Sequence, residues 1–256
     1  MNTDELILAS IDNGLVQITI NRPPANALSG ALIAELLSTF KHLAEKDQPP
    51  GVVLTGEGER FFSAGGDINE VSDHELAIAR MNDFHELLCQ LDQYPGPLVC
   101  AVRGYAVGAG FEIVLHADYV ISAPQSRFGF PEINHGLLPA AKGMRQAAAV
   151  LGFRTARSLL LSGVPISAES ALSAGSIDEI VKDTDVVGRA VTKCRELVSK
   201  DPGLYSSIKK TLRHGSQMKD AALLEITLGD MAGYLGDSKS AEARSQFLTK
   251  NKKVKS

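Results

Sequence analysis

The sequence predicts an α/β protein with a helical C-terminal part. Three observations carry that expectation. Amphipathic helical stretches, short aliphatic runs of strand type and glycine-bearing loops alternate through the first part of the chain, the order that builds a sheet covered by helices. From Phe153 onward, helix-period segments dominate. The length, 256 residues, is long for one domain and short for two, so one large core with appendages is expected.

The elements follow in order. ELILASIDNGLVQITINRP, residues 5–23, predicts two strands around the turn Asn13-Gly14, because an Asn-Gly pair between β-branched and apolar residues favours a hairpin. ALIAELLSTFKHLAE, residues 31–45, places Leu32, Ile33, Leu36, Leu37 and Phe40 on one helical face, with Ser29 near its start. GVVLTG, residues 51–56, is a buried strand, and EGERFFSAGGDINE, residues 57–70, a glycine-bearing loop. HELAIARMNDFHELLCQLDQ, residues 74–93, is a second amphipathic helix, closed by YPGP. LVCAV, residues 98–102, is another buried strand, and YVISA, residues 119–123, is strand-like. Downstream, residues 154–163, 167–175, 186–200, 204–215, 219–235 and 240–250 carry helical patterns.

Composition narrows the function classes. Net charge is −4, and the basic residues are scattered apart from the terminal KNKKVKS, so no nucleic-acid partner is expected. Cys89, Cys100 and Cys194 form no CxxC pair, which suits a reducing compartment. Six dispersed histidines show no metal-ligand cluster. The acidic N-terminus lacks a signal-peptide pattern, and no apolar run reaches the length of a membrane span. A soluble cytoplasmic protein without metal or membrane partner is expected.

Three stretches carry the chemistry. FSAGGD, residues 62–67, follows a strand, and its glycines allow backbone N–H groups to approach a ligand; a simple strand-to-helix turn is the plainer reading. GAGFE, residues 108–112, places Gly108 and Gly110 where FEIVLHAD can begin a helix. Two N–H groups from these separate loops can converge on one carbonyl oxygen. Glu112 then lies in the first helical turn, alone in an apolar run; stabilising the helix N-terminus is its alternative role. FGFPEINHGLLP, residues 128–139, brings a second acid, Glu132, twenty positions later. Two carboxyls facing one water can serve as base and acid, whereas Glu132 alone reads as a surface loop acid.

At these residues the sequence resembles the enoyl-CoA hydratase/isomerase (crotonase) family. The resemblance is carried by NRPPANALS, FFSAGGDINE, GYAVGAGFEIVLHADYVISA, FGFPEINHGLLP and LLLSGVPISAESALSAGSIDEIV, in that order along nearly the whole chain. It implies a crotonase-like spiral of ββα turns over residues 1–195 and a C-terminal helical region, 196–256, that forms a homotrimer or a hexamer of two trimers. It implies an acyl-CoA thioester as substrate and no separate cofactor, coenzyme A being part of the substrate. The backbone N–H groups of Gly66 and Ala109 match the family's oxyanion-hole positions, and Glu112 and Glu132 its two catalytic glutamates. Ala27, Ala64, Asp67 and Ile68 match positions lining the CoA site; Arg60 falls where a basic residue often stands near the CoA phosphates, or is a solvated charge. The implied activity is that of an enoyl-CoA hydratase, a hydro-lyase adding water across a 2,3-double bond to give a 3-hydroxyacyl-CoA. An enoyl-CoA isomerase, a hydratase for an aromatic-degradation or carnitine-type acyl-CoA, and a non-catalytic binding protein of the same fold are the alternatives. RNA binding is disfavoured because residues 74–93 lack a basic comb.

The sequence departs from the family in four places. Gly-Ala-Gly stands for Gly-Gly-Gly at 108–110. PAAKGMRQ, residues 139–146, puts Lys142 where a glycine is usual, near the expected pocket. His116 and His135 replace commoner apolar or small residues.

Overall fold

The computed structural model describes residues 6–12, 14–70, 74–214, 218–236, 241, 242 and 245. Strands β1 (Leu6–Asp12) and β2 (Leu15–Ile20) form the expected antiparallel hairpin, though Asn13 lies outside the described residues. Helix α1 (Gly30–Ala44) starts at Ser29, whose hydroxyl accepts from Leu32 N–H, and it buries Leu32, Ile33, Leu36, Leu37 and Phe40 as its spacing requires.

Three ββα turns follow. The first is β3 (Gly51–Gly56), β4 (Phe61–Ser63) and α2 (His74–Gln93). The second is β5 (Leu98–Val102), β6 (Tyr105–Val107) and α3 (Ala109–Leu115). The third is β7 (Tyr119–Ser122), β8 (Arg127–Gly129) and α4 (Ala141–Leu151). Then come α5 (Phe153–Ser162), β9 (Ile166–Ser167), α6 (Ala168–Ser173), β10 (Glu179–Ile180) and α7 (Val186–Val198).

The first strand of each turn joins one sheet, ordered β1-β2-β3-β5-β7-β10 and parallel from β2 onward. The second joins another, ordered β4-β6-β8-β9. This is the spiral that the family resemblance implied. The inner parallel strands β3 and β5 are buried on both faces, as strands inside a covered parallel sheet are. Val52, Leu54, Leu98 and Cys100 point toward α1 and α2; the alternate residues Val53, Val99 and Ala101 join Val186, Ala190 and Cys194 of α7.

The chain divides into two compact units, Met1–Leu197 and Val198–Ser256. In the second, α8 (Pro202–His214) and α9 (Asp220–Gly236) pack on one another. Most of the helical pattern at 240–250 lies outside the described residues. Residues 141–151, read from sequence only as a pocket segment, form α4, for which the alanine run Ala147, Ala148 and Ala149 is a sufficient propensity reason.

Candidate active site

A cavity of about 1090 Å³ opens in the first unit. Its wall combines the chain after β2, the loop after β4, one face of α2, the start of α3 and residues 131–140. Within it the structure places Ala27, Ala64, Gly66, Asp67, Ile68, Ala109, Glu112 and Glu132, eight of the nine residues expected from sequence. Arg60 is the exception. It stands exposed on the loop before β4, with its guanidinium over the Phe61 ring at 5.2 Å.

The two glycine loops lie side by side because both backbones take conformations that suit glycine. Gly65 has φ +91°, and a Cβ there would sit 2.9 Å from Val107 O and 3.3 Å from Ala109 N. Gly108 has φ +55° and precedes α3. The neighbouring amides are committed: Gly65 N–H to Ser63 Oγ (3.2 Å), Asp67 N–H to Leu28 O (3.0 Å) and Gly108 N–H to Gly129 O (2.9 Å). Among the described residues, no acceptor is found for the N–H of Gly66 or of Ala109. Two unused donors on adjoining loops, both in the cavity wall, are the arrangement an oxyanion needs. Ser63 ties this region together, since its hydroxyl also donates to Asn26 O at 2.7 Å.

Glu112 sits in the first turn of α3 and is 1% exposed. Its Oε1 accepts from Ala140 N–H at 3.3 Å, and its Oε2 finds no partner among the described residues. Burial pushes this carboxyl up to about 8; the Ala140 amide opposes the rise and the charge of Glu132 adds to it. Glu132 opens the 3₁₀ turn Glu132–His135 and is half-buried. Its Oε1 packs against Gly108, where a Cβ would sit 2.8 Å away, and Oε2 has no partner among the described residues. Burial raises its carboxyl too, against the pull of its own backbone N–H. Asn134 anchors this turn by donating to Gly163 O at 3.1 Å. Two neutralisable acids facing one cavity beside a pair of amide donors can move protons at a bound carbonyl compound.

Asp67 is less free than a ligand-binding acid would be. Its carboxylate pairs with Arg22 at 2.6 Å and accepts from Asn69 N–H at 3.0 Å, so it caps the turn that follows. Burial raises its pKa, but the Asn69 amide and Arg22 outweigh this and hold it below the ordinary carboxylate range.

Sequence reasoning missed the α2 contribution. Ala77, Arg80, Met81 and Phe84 line the cavity at helical spacing. Arg80 donates to Asp67 O at 2.5 Å, with its guanidinium against Gly66. The signal was an arginine inside an otherwise apolar stripe. Lys142 is absent from the cavity wall: it is buried, and its ammonium meets Asp92 of α2 at 2.5 Å. His135 lies at the cavity edge and is exposed.

Comparison with known proteins follows the same outline. The family model described as enoyl-CoA hydratase/isomerase matches residues 10–255. The chain is 33% identical to 2,3-dehydroadipyl-CoA hydratase of Escherichia coli K12 over 214 residues, 83% of each protein. It is 29% identical to carnitinyl-CoA dehydratase of the same strain over 211 residues, 81% of this chain and 80% of that one. Among solved structures, DspI of Pseudomonas aeruginosa superposes with a TM-score of 0.90 at 27% identity, covering 98% of this chain and 96% of that one. An enoyl-CoA hydratase from Bacillus anthracis gives 0.89 at 26%, covering 96% and 97%.

Proposed function

The chain belongs to the enoyl-CoA hydratase/isomerase family, and on that premise we propose that it hydrates 2-enoyl-CoA thioesters to 3-hydroxyacyl-CoA products. The observation that carries the reading is the placement of Glu112 and Glu132, both raised by burial, in one cavity with the free amides of Gly66 and Ala109. The thioester oxygen accepts from the two amides, which stabilise the negative charge it gains as the double bond is attacked. Water sits between the carboxyls. Burial raises both carboxyls, and the reacting form carries the proton on Glu132 and the charge on Glu112. Glu112 takes a proton from water as its oxygen bonds to C3, and Glu132 delivers its proton to C2. The two protons exchanged balance, and no separate cofactor enters; coenzyme A arrives as part of the substrate. Ala27, Ala64 and Ile68 contact the CoA portion.

An isomerase needs chiefly one acid, so the cavity position of Glu112 favours hydration. The relatives named for dehydroadipyl and carnitinyl thioesters add functionalised acyl groups to the substrates to be offered. Association into a trimer or a dimer of trimers is part of the proposal, and exposed Ile208, Leu212, Leu224 and Leu228 on α8 and α9 supply apolar surface for it.

The test is loss of enoyl-thioester absorbance with crotonyl-CoA and 2,3-dehydroadipyl-CoA. Wild type turns over at least one, and Glu112→Gln and Glu132→Gln each lose about 10³-fold in kcat, since each removes a proton carrier used in the transition state. Turnover of a 3-enoyl-CoA that survives Glu112→Gln would replace hydration by isomerisation.

A further inference from the structure

Behind Glu112, away from the cavity, the ends of three helices meet on three polar side chains. Asp92 is near the C-terminus of α2, His116 caps the C-terminus of α3, and Lys142 lies in the first turn of α4. Asp92 Oδ1 meets His116 Nδ1 at 2.6 Å, and Asp92 Oδ2 meets Lys142 Nζ at 2.5 Å. The relative exposures of these side chains are 5%, 0% and 7%. Helix polarity does not explain the group. An acid at a helix C-terminus and a lysine at an N-terminus each oppose the macrodipole, so each is accounted for by the other. Nor does packing, because an ion pair out of water competes poorly with apolar side chains of the same volume.

The place of the cluster does explain it. The first turn of α4 is the bed on which the Glu112 side chain lies. Ala140 N–H is the donor to Oε1, and Gly143 is so close to Oε2 that no Cβ fits there. Lys142 stands between these two residues. Its bond to Asp92 therefore ties the Glu112 bed to α2, while His116 ties the far end of the Glu112 helix to the same carboxylate. Gln146 completes the frame by donating to Leu115 O at 3.0 Å.

We propose that Lys142, through Asp92 and His116, is a positioning residue that fixes the Glu112 carboxylate against α4 for attack on the substrate. The proposal rests on the hydratase reading for its kinetic consequence but not for its geometry. Lys142 does not line the cavity, so it acts on Glu112 without touching substrate.

The experiment uses the full-length protein and three variants: Lys142→Met, Lys142→Arg and the double variant Asp92→Leu with Lys142→Met. Steady-state kinetics with crotonyl-CoA are read beside thermal unfolding. Titration of the Glu112 carboxyl is followed by difference infrared spectroscopy, with its band assigned by Glu112→Gln. Lys142→Met lowers kcat by about 10–100-fold with KM within about twofold, the scale of a misplaced catalytic group. It also shifts the Glu112 titration, and Lys142→Arg restores most of both. The double variant regains thermal stability but not kcat. Recovery of kcat in the double variant would make the cluster merely structural, and a change confined to KM would make Lys142 part of the substrate wall. Either result overturns the proposal, as does an unshifted Glu112 band in folded Lys142→Met or in the folded double variant. If wild type hydrates no enoyl thioester, the hydratase reading falls and the infrared titration alone decides this one. If Lys142→Met does not fold, the double variant and Lys142→Arg carry the same comparison.

Discussion

Glu112 and Asp92 are buried carboxylates on neighbouring helices, 1% and 5% exposed, yet their acidities move in opposite directions. Glu112 receives one long amide bond and is pushed up to about 8 by burial. Asp92 suffers the same burial, but His116 and Lys142 outweigh it and hold its carboxyl well below the ordinary range. Burial thus sets the sign only where partners are few. The fold uses the satisfied acid as a joint. The cavity keeps the unsatisfied one, because an acid at equilibrium with its surroundings at neutral pH can both take and give a proton.

The harshest way to break this contrast is to take the charge from the satisfied acid. Asp92→Asn leaves the Lys142 ammonium buried without a counter-ion, which costs about 3–5 kcal/mol for a pair of this kind. Denaturant unfolding at neutral pH measures it, with the reverse expected of Glu112→Gln, which removes a carboxyl that burial makes costly to ionise. A loss below about 1 kcal/mol would mean that the cluster admits water and that its burial is not what tightens it.

A subtler break acts on the bed and not on either acid. Gly143→Ala puts a methyl group where Glu112 Oε2 lies. Alanine's helix propensity, up to about 1 kcal/mol over glycine, only partly offsets the overpacking of a buried side chain, so stability falls by about 1–2 kcal/mol. The carboxylate must leave its place, and kcat falls by about 10–100-fold. Unchanged kcat would show a second productive position for Glu112.

Much of this was legible in the sequence. The face of α1, the buried strands β3 and β5 and the limits of α2 follow from periodicity, because each is long enough to show its repeat. The two-residue and three-residue strands are not, since a period of two needs more than three residues to appear; β4, β6 and β8 are set by the glycine-bearing turns and by pairing between distant segments. Glu112 stood out as a lone acid in an apolar run, and Glu132 only through its family context. Lys142 and His116 stood out as departures, but their partner Asp92 looked like any polar residue near a helix end. A pair separated by fifty positions is a tertiary fact, visible only once α2 and α4 lie together.

The smallest expected effect is also the one that separates Glu112 from Asp92 most directly. Its folded-state pKa, about 8, lies above the ordinary 4.5 that the unfolded chain retains. Below 4.5 both states hold the proton and Glu112 contributes nothing to the pH dependence. As pH rises from there, the unfolded state releases the proton first, so native stability is lost progressively until the folded group also ionises near 8. Glu112→Gln removes that penalty while keeping the size of the neutral form. The variant should therefore match wild type near pH 5 and exceed it by about 2 kcal/mol at pH 9, less than the full shift implies because water can enter the cavity. Glu132 faces the same space in both proteins, and with its neighbour neutral it ionises more readily, which enlarges the gain slightly. Thermal unfolding at a series of pH values measures the difference. A constant offset from pH 5 to pH 9 would show that Glu112 titrates normally, and the contrast with Asp92 would then rest on geometry alone.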